Sequence, residues 1–89
     1  MKACATMEWF CYLLRCADGT LYCGITNDLG KRLSAHNDGT ASKYTRARKP
    51  VDLVFFESCA DRSDASKREA AIKALTRSEK LALIEELAR

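Results

Sequence analysis

The chain has 89 residues, 47% of them hydrophobic, and a formal net charge of +3. A chain shorter than the usual domain size of about 100 to 150 residues predicts one domain, here over residues 9–89 after a flexible leader over residues 1–8. No run approaches the roughly 18 apolar residues of a membrane span, and the leader lacks the apolar core of a secretory signal. We therefore expect a soluble cytoplasmic protein with no membrane association, whose natural start is either Met1 or Met7.

The five cysteines are odd in number and form no Cys-x-x-Cys pair, which disfavours a disulfide framework or a zinc site and predicts free thiols.

The first two elements are predicted to be strands over residues 9–16 and 21–26, joined by a turn at Asp18-Gly19. The length of this turn decides which side chains share a face of the sheet. A two-residue turn would place Tyr12 and Tyr22 on opposite faces. A three-residue turn of residues 17–19, with Gly19 in the left-handed conformation, would place both tyrosines on the same face.

A short helix is predicted over residues 28–37, because Asp28 is a good capping residue and Gly39 offers a left-handed stop. Leucines recur along it at helical spacing. Arg32 and His36 are four residues apart and project from one side of this helix.

Residues 38–50 are predicted to form a polar, basic loop. Within residues 29–50 the formal charge is +5, against −2 for the remainder. Such clustering is typical of a surface that binds a polyanion, although a solvated basic loop is an equal alternative. The predicted phosphate-contacting residues are Lys31, Lys43, Arg46, Arg48 and Lys49, with Tyr44 either stacking on a base or packing against the sheet.

The last third predicts a strand over residues 51–57, too apolar for a fully exposed edge, and two helices. The first helix is capped by Asp61 or Ser63 and runs to about residue 75, and the second follows a capping box at residues 76–79 and runs to residue 87. The expected fold class is α+β, with a small three-stranded antiparallel or mixed sheet flanked by helices in the order ββαβαα. Glu69 falls on the apolar stripe of the first of these helices, where burying an unpaired carboxylate would be energetically unfavourable.

Four segments together carry a resemblance to a known family. They are FCY at 10–12, YCG at 22–24, TNDLGKRLSAH at 26–36 and KREAAIKAL at 67–75. In this order and spacing the chain resembles the GIY-YIG nuclease superfamily, and is most similar to its small stand-alone members. The match departs from the family pattern at three positions, since Phe10 and Cys11 stand for Gly and Ile in the first triplet and Cys23 stands for Ile in the second.

The resemblance implies a set of catalytic residues, which are Tyr12, Tyr22, Arg32, His36 and Glu69. It also implies one divalent cation, Mg²⁺ or Mn²⁺, bound by Glu69, with Arg32 binding phosphate. Tyr22 is the candidate general base if nearby cations stabilise its phenolate, His36 is a competing or assisting base, and Tyr12 is a hydrogen-bonding positioner.

Each of these residues also has a structural interpretation. The tyrosines could be ordinary strand aromatics, Arg32 a surface charge, and His36 a satisfied histidine near a helix C-terminus, while Glu69 could pair with Arg68 or Lys73.

The main functional hypothesis is a metal-dependent endonuclease of low sequence specificity, acting on nucleic acid with DNA favoured over RNA, in a context such as DNA repair. The alternatives are a nucleic-acid-binding module with little catalysis, since the triplets have drifted, and an interaction domain that a protein partner targets. If the first hypothesis holds, Tyr12, Tyr22, Arg32 and Glu69 should line one shallow cleft.

Overall fold

Three antiparallel strands with helices on both faces make up the fold. The computed structural model describes residues 8–87, so most of the predicted leader lies outside the described residues. The strands are β1 (Trp9–Arg15), β2 (Leu21–Thr26) and β3 (Asp52–Cys59), and the helices are α1 (Leu29–Asp38), α2 (Lys43–Arg46), α3 (Arg62–Lys73) and α4 (Arg77–Leu87). The sheet order is β2-β1-β3. The α+β class and the antiparallel sheet are confirmed, and the order ββαβαα gains one element, because the predicted loop over residues 38–50 contains the short helix α2.

The turn between β1 and β2 has three residues. The Cys16 N–H donates to the Thr20 carbonyl at 2.8 Å, and Gly19 adopts a left-handed φ of 86°. In the resulting register Leu14 lies opposite Tyr22. Since Tyr12 and Leu14 are two residues apart in β1, Tyr12 and Tyr22 point to the same face of the sheet. The three-residue alternative is therefore confirmed.

The helix ends follow the capping chemistry of the sequence. Asp28 caps α1 through its side chain, and Gly39 ends the helix with a φ of 83°. Asp61, rather than Ser63, caps α3. The capping box that opens α4 is reciprocal, since the Thr76 N–H donates to the Glu79 carboxylate at 2.8 Å and the Glu79 N–H donates to the Thr76 hydroxyl at 3.2 Å.

Each face of the sheet has its own apolar cluster. On the face covered by α1 and α2, here called the tyrosine face, the cluster contains Tyr12, Leu14, Cys16 and Val51 with Tyr22, Leu29, Leu33 and Leu53 packed against them. On the opposite α3 face it contains Cys11, Leu13, Cys23, Phe55, Cys59, Ala65 and Ile72. Cys11, Cys16, Cys23 and Cys59 are free and buried, which confirms the free-thiol prediction for these four.

The third strand forms an edge of the sheet and is longer than predicted, ending at Cys59 instead of residue 57. Its side chains are only partly covered: Phe55 is buried on the α3 face, while Phe56 is 40% exposed and contacts Phe10 edge to face. This agrees with an apolar strand that is not a fully exposed edge. None of the helices within residues 8–87 has the length and apolar character needed to cross a lipid bilayer.

Candidate functional site

A chain of buried hydrogen bonds links β1, α1 and α2 on the tyrosine face. The Tyr12 hydroxyl lies 2.9 Å from His36 Nε2, and His36 Nδ1 lies 2.7 Å from Thr45 Oγ1. The three residues are 3%, 1% and 0% exposed, respectively. Buried polar groups in an apolar setting are stable only when they are paired, and here both ring nitrogens of His36 are paired. Burial and these two hydrogen bonds therefore keep His36 from contacting a solvent-side reactant directly.

Burial sets the protonation state of this chain. It lowers the pKa of His36, with the Arg32 charge acting in the same direction. It also raises the pKa of Tyr12, an effect to which Tyr22 and Glu69 add and which Arg32 opposes. Both changes favour the neutral forms at neutral pH. The resting site thus holds a neutral phenol hydrogen-bonded to a neutral imidazole.

Tyr22, the second tyrosine of the face, packs against aromatic rings on both α1 and α2. Its ring centroid lies 5.2 Å from that of His36 and 5.6 Å from that of Tyr44. The Arg48 guanidinium lies 3.9 Å from the Tyr44 ring centroid, and Arg48 Nε donates to Asp18 Oδ2 at 3.0 Å. Tyr44 therefore packs against the sheet residue Tyr22, which is the second of the two roles expected for it.

Arg32 lies beside Tyr12 at the rim of a narrow apolar cleft. Tyr12, Arg32 and the leucines Leu14, Leu29, Leu33 and Leu53 line this cleft. The helix α1 presents its leucines to the sheet at helical spacing, and this packing places Arg32 next to the first tyrosine. The exposed guanidinium of Arg32 is a permanent cation that can bind phosphate oxygens bidentately.

The glycine of the second triplet, Gly24, is required by the packing of Tyr12. It lies opposite Tyr12 in the register, and a Cβ built on Gly24 would stand 2.5 Å from the Tyr12 hydroxyl oxygen. The Tyr12 ring therefore lies across the β2 backbone, and any side chain at position 24 would displace it.

Glu69 belongs to α3, which packs on the opposite face. The neighbouring stripe residues Ala65 and Ile72 are buried there, as the helical spacing predicted. The Glu69 side chain is 25% exposed and pairs with Lys73 Nζ at 3.2 Å, which is one of the structural roles expected for it. The other candidate partner, Arg68, instead pairs with Glu57. The charge of Glu69 is a minor contributor to the raised pKa of Tyr12, after burial and Tyr22.

These observations test how well Glu69 could hold a divalent cation. Within residues 8–87, no group of three or more His, Cys, Asp or Glu side chains is arranged to bind a metal. A lone, partly exposed carboxylate is a hard oxygen ligand that suits Mg²⁺ or Mn²⁺ when water and substrate oxygens complete the shell. The residues present therefore fit a weakly held ion, and Lys73 would have to give up its contact with Glu69 when the ion binds.

The predicted phosphate-contacting residues divide into two groups. Lys31, Lys43, Arg46 and Lys49 are exposed, whereas Arg48 is half-buried between Asp18 and Tyr44. A Cβ built on Gly39 would lie 3.2 Å from Arg46 Cγ and 3.5 Å from Lys49 Nζ, so both side chains pack against the C-terminal end of α1.

The structure thus brings together Tyr12, Tyr22, Arg32 and His36 on one face. That Tyr22 and Glu69 line the same cleft as Tyr12 and Arg32 stays a prediction. Two polar residues of this region were missed from the sequence. Thr45 bonds His36, and the Asn37 side chain both accepts from the Val51 N–H at 2.8 Å and donates to the Val51 carbonyl at 3.2 Å, which fixes the start of β3. The sequence Ser42-Lys43-Tyr44-Thr45, a cap followed by a short helix, was the available signal for Thr45.

With this geometry in place, comparison with known proteins gives the family. The model of the GIY-YIG catalytic domain matches residues 8–82. The chain belongs to the GIY-YIG family, as its motifs predicted.

Its relatives are small single-domain members of the family. The chain is 52% identical to a UPF0213 protein of Desulfotalea psychrophila over 77 residues, which cover 85% of this chain and 70% of the relative. It is 46% identical to the UPF0213 protein YazA of Bacillus subtilis over 81 residues, covering 91% and 82% of the two chains. The solution NMR structure of the E. faecalis protein EF2693 is 41% identical and superposes with a TM-score of 0.61, covering 91% of this chain and 86% of that one.

Proposed function

We propose that the protein is a metal-dependent endonuclease that hydrolyses phosphodiester bonds in nucleic acid with low sequence specificity, and that DNA is its substrate. The observation that carries this proposal is the convergence of Tyr12, Tyr22 and Arg32 around the buried His36. Membership of the GIY-YIG family supports it.

In the proposed reaction Arg32 binds the phosphate and offsets the charge that develops on its oxygens. Water attacks phosphorus, a base takes one of the water protons, the bond to the leaving oxygen breaks, and that oxygen is protonated by solvent. A divalent cation on Glu69 would supply Lewis-acid stabilisation of the phosphate charge.

Tyr22 is the better candidate for the base. His36 is only 1% exposed and both of its ring nitrogens are bonded, so it cannot contact the attacking water directly. Tyr12 is held as a neutral phenol, because burial raises its pKa. Tyr22 is half-buried and thus retains access to solvent. Within this proposal Tyr12 is a hydrogen-bonding positioner that is itself held by His36.

Two of the three departures from the family triplets, Cys11 and Cys23, do not favour the alternative of a catalytically weak binding module. Cys11 and Cys23 lie on the α3 face, where their sulfur atoms are 3.8 Å apart in the apolar core. A cysteine behaves there as a small hydrophobe in place of isoleucine. These two substitutions therefore alter the core on the face opposite the tyrosines.

The test is a cleavage assay on duplex, branched and single-stranded DNA and on RNA, in Mg²⁺ or Mn²⁺ and with the metal chelated. Glu69→Gln keeps the shape and removes the charge, so cleavage should be lost while binding through the basic residues stays within about twofold. Glu85→Gln, the same change at an exposed position of α4, serves as the matched control and should cleave normally. Absence of cleavage by the wild type on every substrate would refute the proposal, and wild-type cleavage by Glu69→Gln would refute the role of Glu69.

A further inference from the structure

The short helix α2 is linked to both tyrosines of the site through two consecutive residues, to Tyr22 directly and to Tyr12 through His36. Thr45 points into the protein, where its hydroxyl bonds His36 Nδ1 at 2.7 Å, and His36 Nε2 bonds the Tyr12 hydroxyl at 2.9 Å. Tyr44, the preceding residue, packs against Tyr22 with 5.6 Å between the ring centroids. Helix α2 therefore lies against Tyr22 and is connected to Tyr12 through His36.

The Thr45 hydroxyl is itself held in place. Ser42 caps α2 by accepting the Thr45 N–H at 3.1 Å, and the hydroxyls of Ser42 and Thr45 lie 3.1 Å apart. Thr45 is 0% exposed, so an unpaired hydroxyl there would destabilise the protein. The hydrogen bond with His36 therefore stabilises both buried side chains. Whichever group donates, this contact determines what hydrogen-bonding role is left for Nε2 towards Tyr12.

The Tyr44 ring is also braced by Arg48. Arg48 lies over it at 3.9 Å, donates to the Tyr44 carbonyl at 3.0 Å, and is anchored on Asp18 in the β1–β2 turn. The brace thus joins α2 to the same hairpin that carries both tyrosines.

We propose that α2 is a positioning element of the site, in which Thr45 orients His36 and through it the Tyr12 hydroxyl, while Tyr44 orients the Tyr22 ring. Lys43 and Arg46 of the same helix are exposed and basic, so phosphate contacts made there bear directly on the helix that orders the tyrosines. Such coupling converts binding energy into orientation at the reacting centre. The catalytic consequence rests on the proposed function, whereas the structural consequence does not.

The structural consequence is read by NMR of the imidazole nitrogens. His36 is the only histidine of the chain, so its two ¹⁵N signals are assigned without ambiguity. We expect the wild type to show one neutral tautomer with separate Nδ1 and Nε2 signals. Thr45→Val, which removes the hydroxyl at nearly constant shape, should shift both signals, and Thr45→Ser should restore them. Thr40→Val removes an exposed hydroxyl that bonds the Ala35 carbonyl and is the matched control.

The catalytic consequence is read by single-turnover cleavage and by nucleic-acid affinity measured separately. Thr45→Val should slow cleavage about 10- to 100-fold, as small misplacements of reacting groups do, with affinity within about twofold of the wild type and with recovery in Thr45→Ser. Tyr44→Leu should slow cleavage in the same way, and Tyr44→Phe, which keeps the ring, should not.

The outcomes separate the two proposals. Signals averaged between tautomers in the wild type, or unchanged signals in Thr45→Val, would overturn the positioning role, and the first of these requires no variant to fold. Wild-type cleavage by Thr45→Val would overturn it as well. If the wild type cleaves nothing but the NMR results are as expected, the proposed function fails while the positioning of His36 by Thr45 stands.

Discussion

Replacing Gly24 by alanine tests how closely the two strands of the hairpin fit together at the site. The added Cβ would lie 2.5 Å from the hydroxyl oxygen and 2.7 Å from Cζ of Tyr12. Carbon atoms in contact are about 3.5 to 4.0 Å apart, so the Tyr12 ring has to move by roughly 1 Å. A movement of this size away from His36 would break the hydrogen bond between them, because it lengthens the 2.9 Å contact beyond hydrogen-bonding distance.

The expected destabilisation follows from these two effects. Overpacking of a filled core costs about 1 to 3 kcal/mol, and loss of one buried hydrogen bond adds about 1 kcal/mol. Gly24→Ala should therefore lower the free energy of unfolding by about 2 to 4 kcal/mol, and each kcal/mol lowers Tm by about 4 to 8 °C in a domain of this size.

Gly30→Ala is the matched control. Gly30 is exposed in α1, and the nearest atom to its built Cβ, Asp28 Oδ1, is 3.9 Å away. There alanine should stabilise the protein by about 0.5 to 1 kcal/mol through its higher helix propensity. Both variants are measured by urea unfolding, together with Gly24→Ala in a Tyr12→Val background, where the cost should fall. A Gly24→Ala protein as stable as Gly30→Ala would refute the argument that Tyr12 requires glycine on the facing strand.

The remaining predictions concern pH and salt. Burial, followed by the charge of Arg32, lowers the pKa of His36, so below about pH 6.5 the unfolded state binds more protons at this residue than the folded state. The contribution of His36 to the free energy of unfolding should be fully present above about pH 6.5 and should be lost as the pH drops through the folded-state pKa, with a limiting slope of about 1.4 kcal/mol per pH unit. His36→Gln should abolish this slope, and a slope that persists in His36→Gln would contradict the prediction. Nucleic-acid affinity should fall steeply between about 50 and 200 mM salt, and Lys43→Ala and Arg46→Ala should each reduce the slope of log affinity against log salt by about 1, measured by fluorescence anisotropy. Lys67→Ala, on α3, is the control, and equal slopes in all of these variants would contradict the assignment.

Local chemistry was readable from the sequence. Helix caps depend on one side chain and the backbone a few residues away, so Asp28, Gly39 and the box at Thr76 and Glu79 could be identified without knowledge of the fold. The strand alternation and the possible turn lengths were equally local, and they limited the placement of Tyr12 and Tyr22 to two alternatives. The family motifs then identified the candidate residues.

Contacts between distant segments were decided only by the tertiary structure. Thr45 lies in a basic stretch whose composition predicts a loop, and its side chain is buried because β1, α1 and α2 enclose it together with His36. Gly24 could be matched to a motif, yet the need for glycine there depends on where the Tyr12 ring lies across the neighbouring strand.

The sequence by itself determined the α+β class, the caps of α1 and α4 and the candidate site residues, because these depend on residue type and on spacing along the chain. Only the tertiary structure decided that His36 is buried with both nitrogens bonded. It also decided that Glu69 lies on α3, on the face of the sheet opposite the tyrosines, where it pairs with Lys73. The physical reason is that burial and hydrogen-bond pairing depend on the groups that surround a side chain, and those groups come from distant parts of the chain.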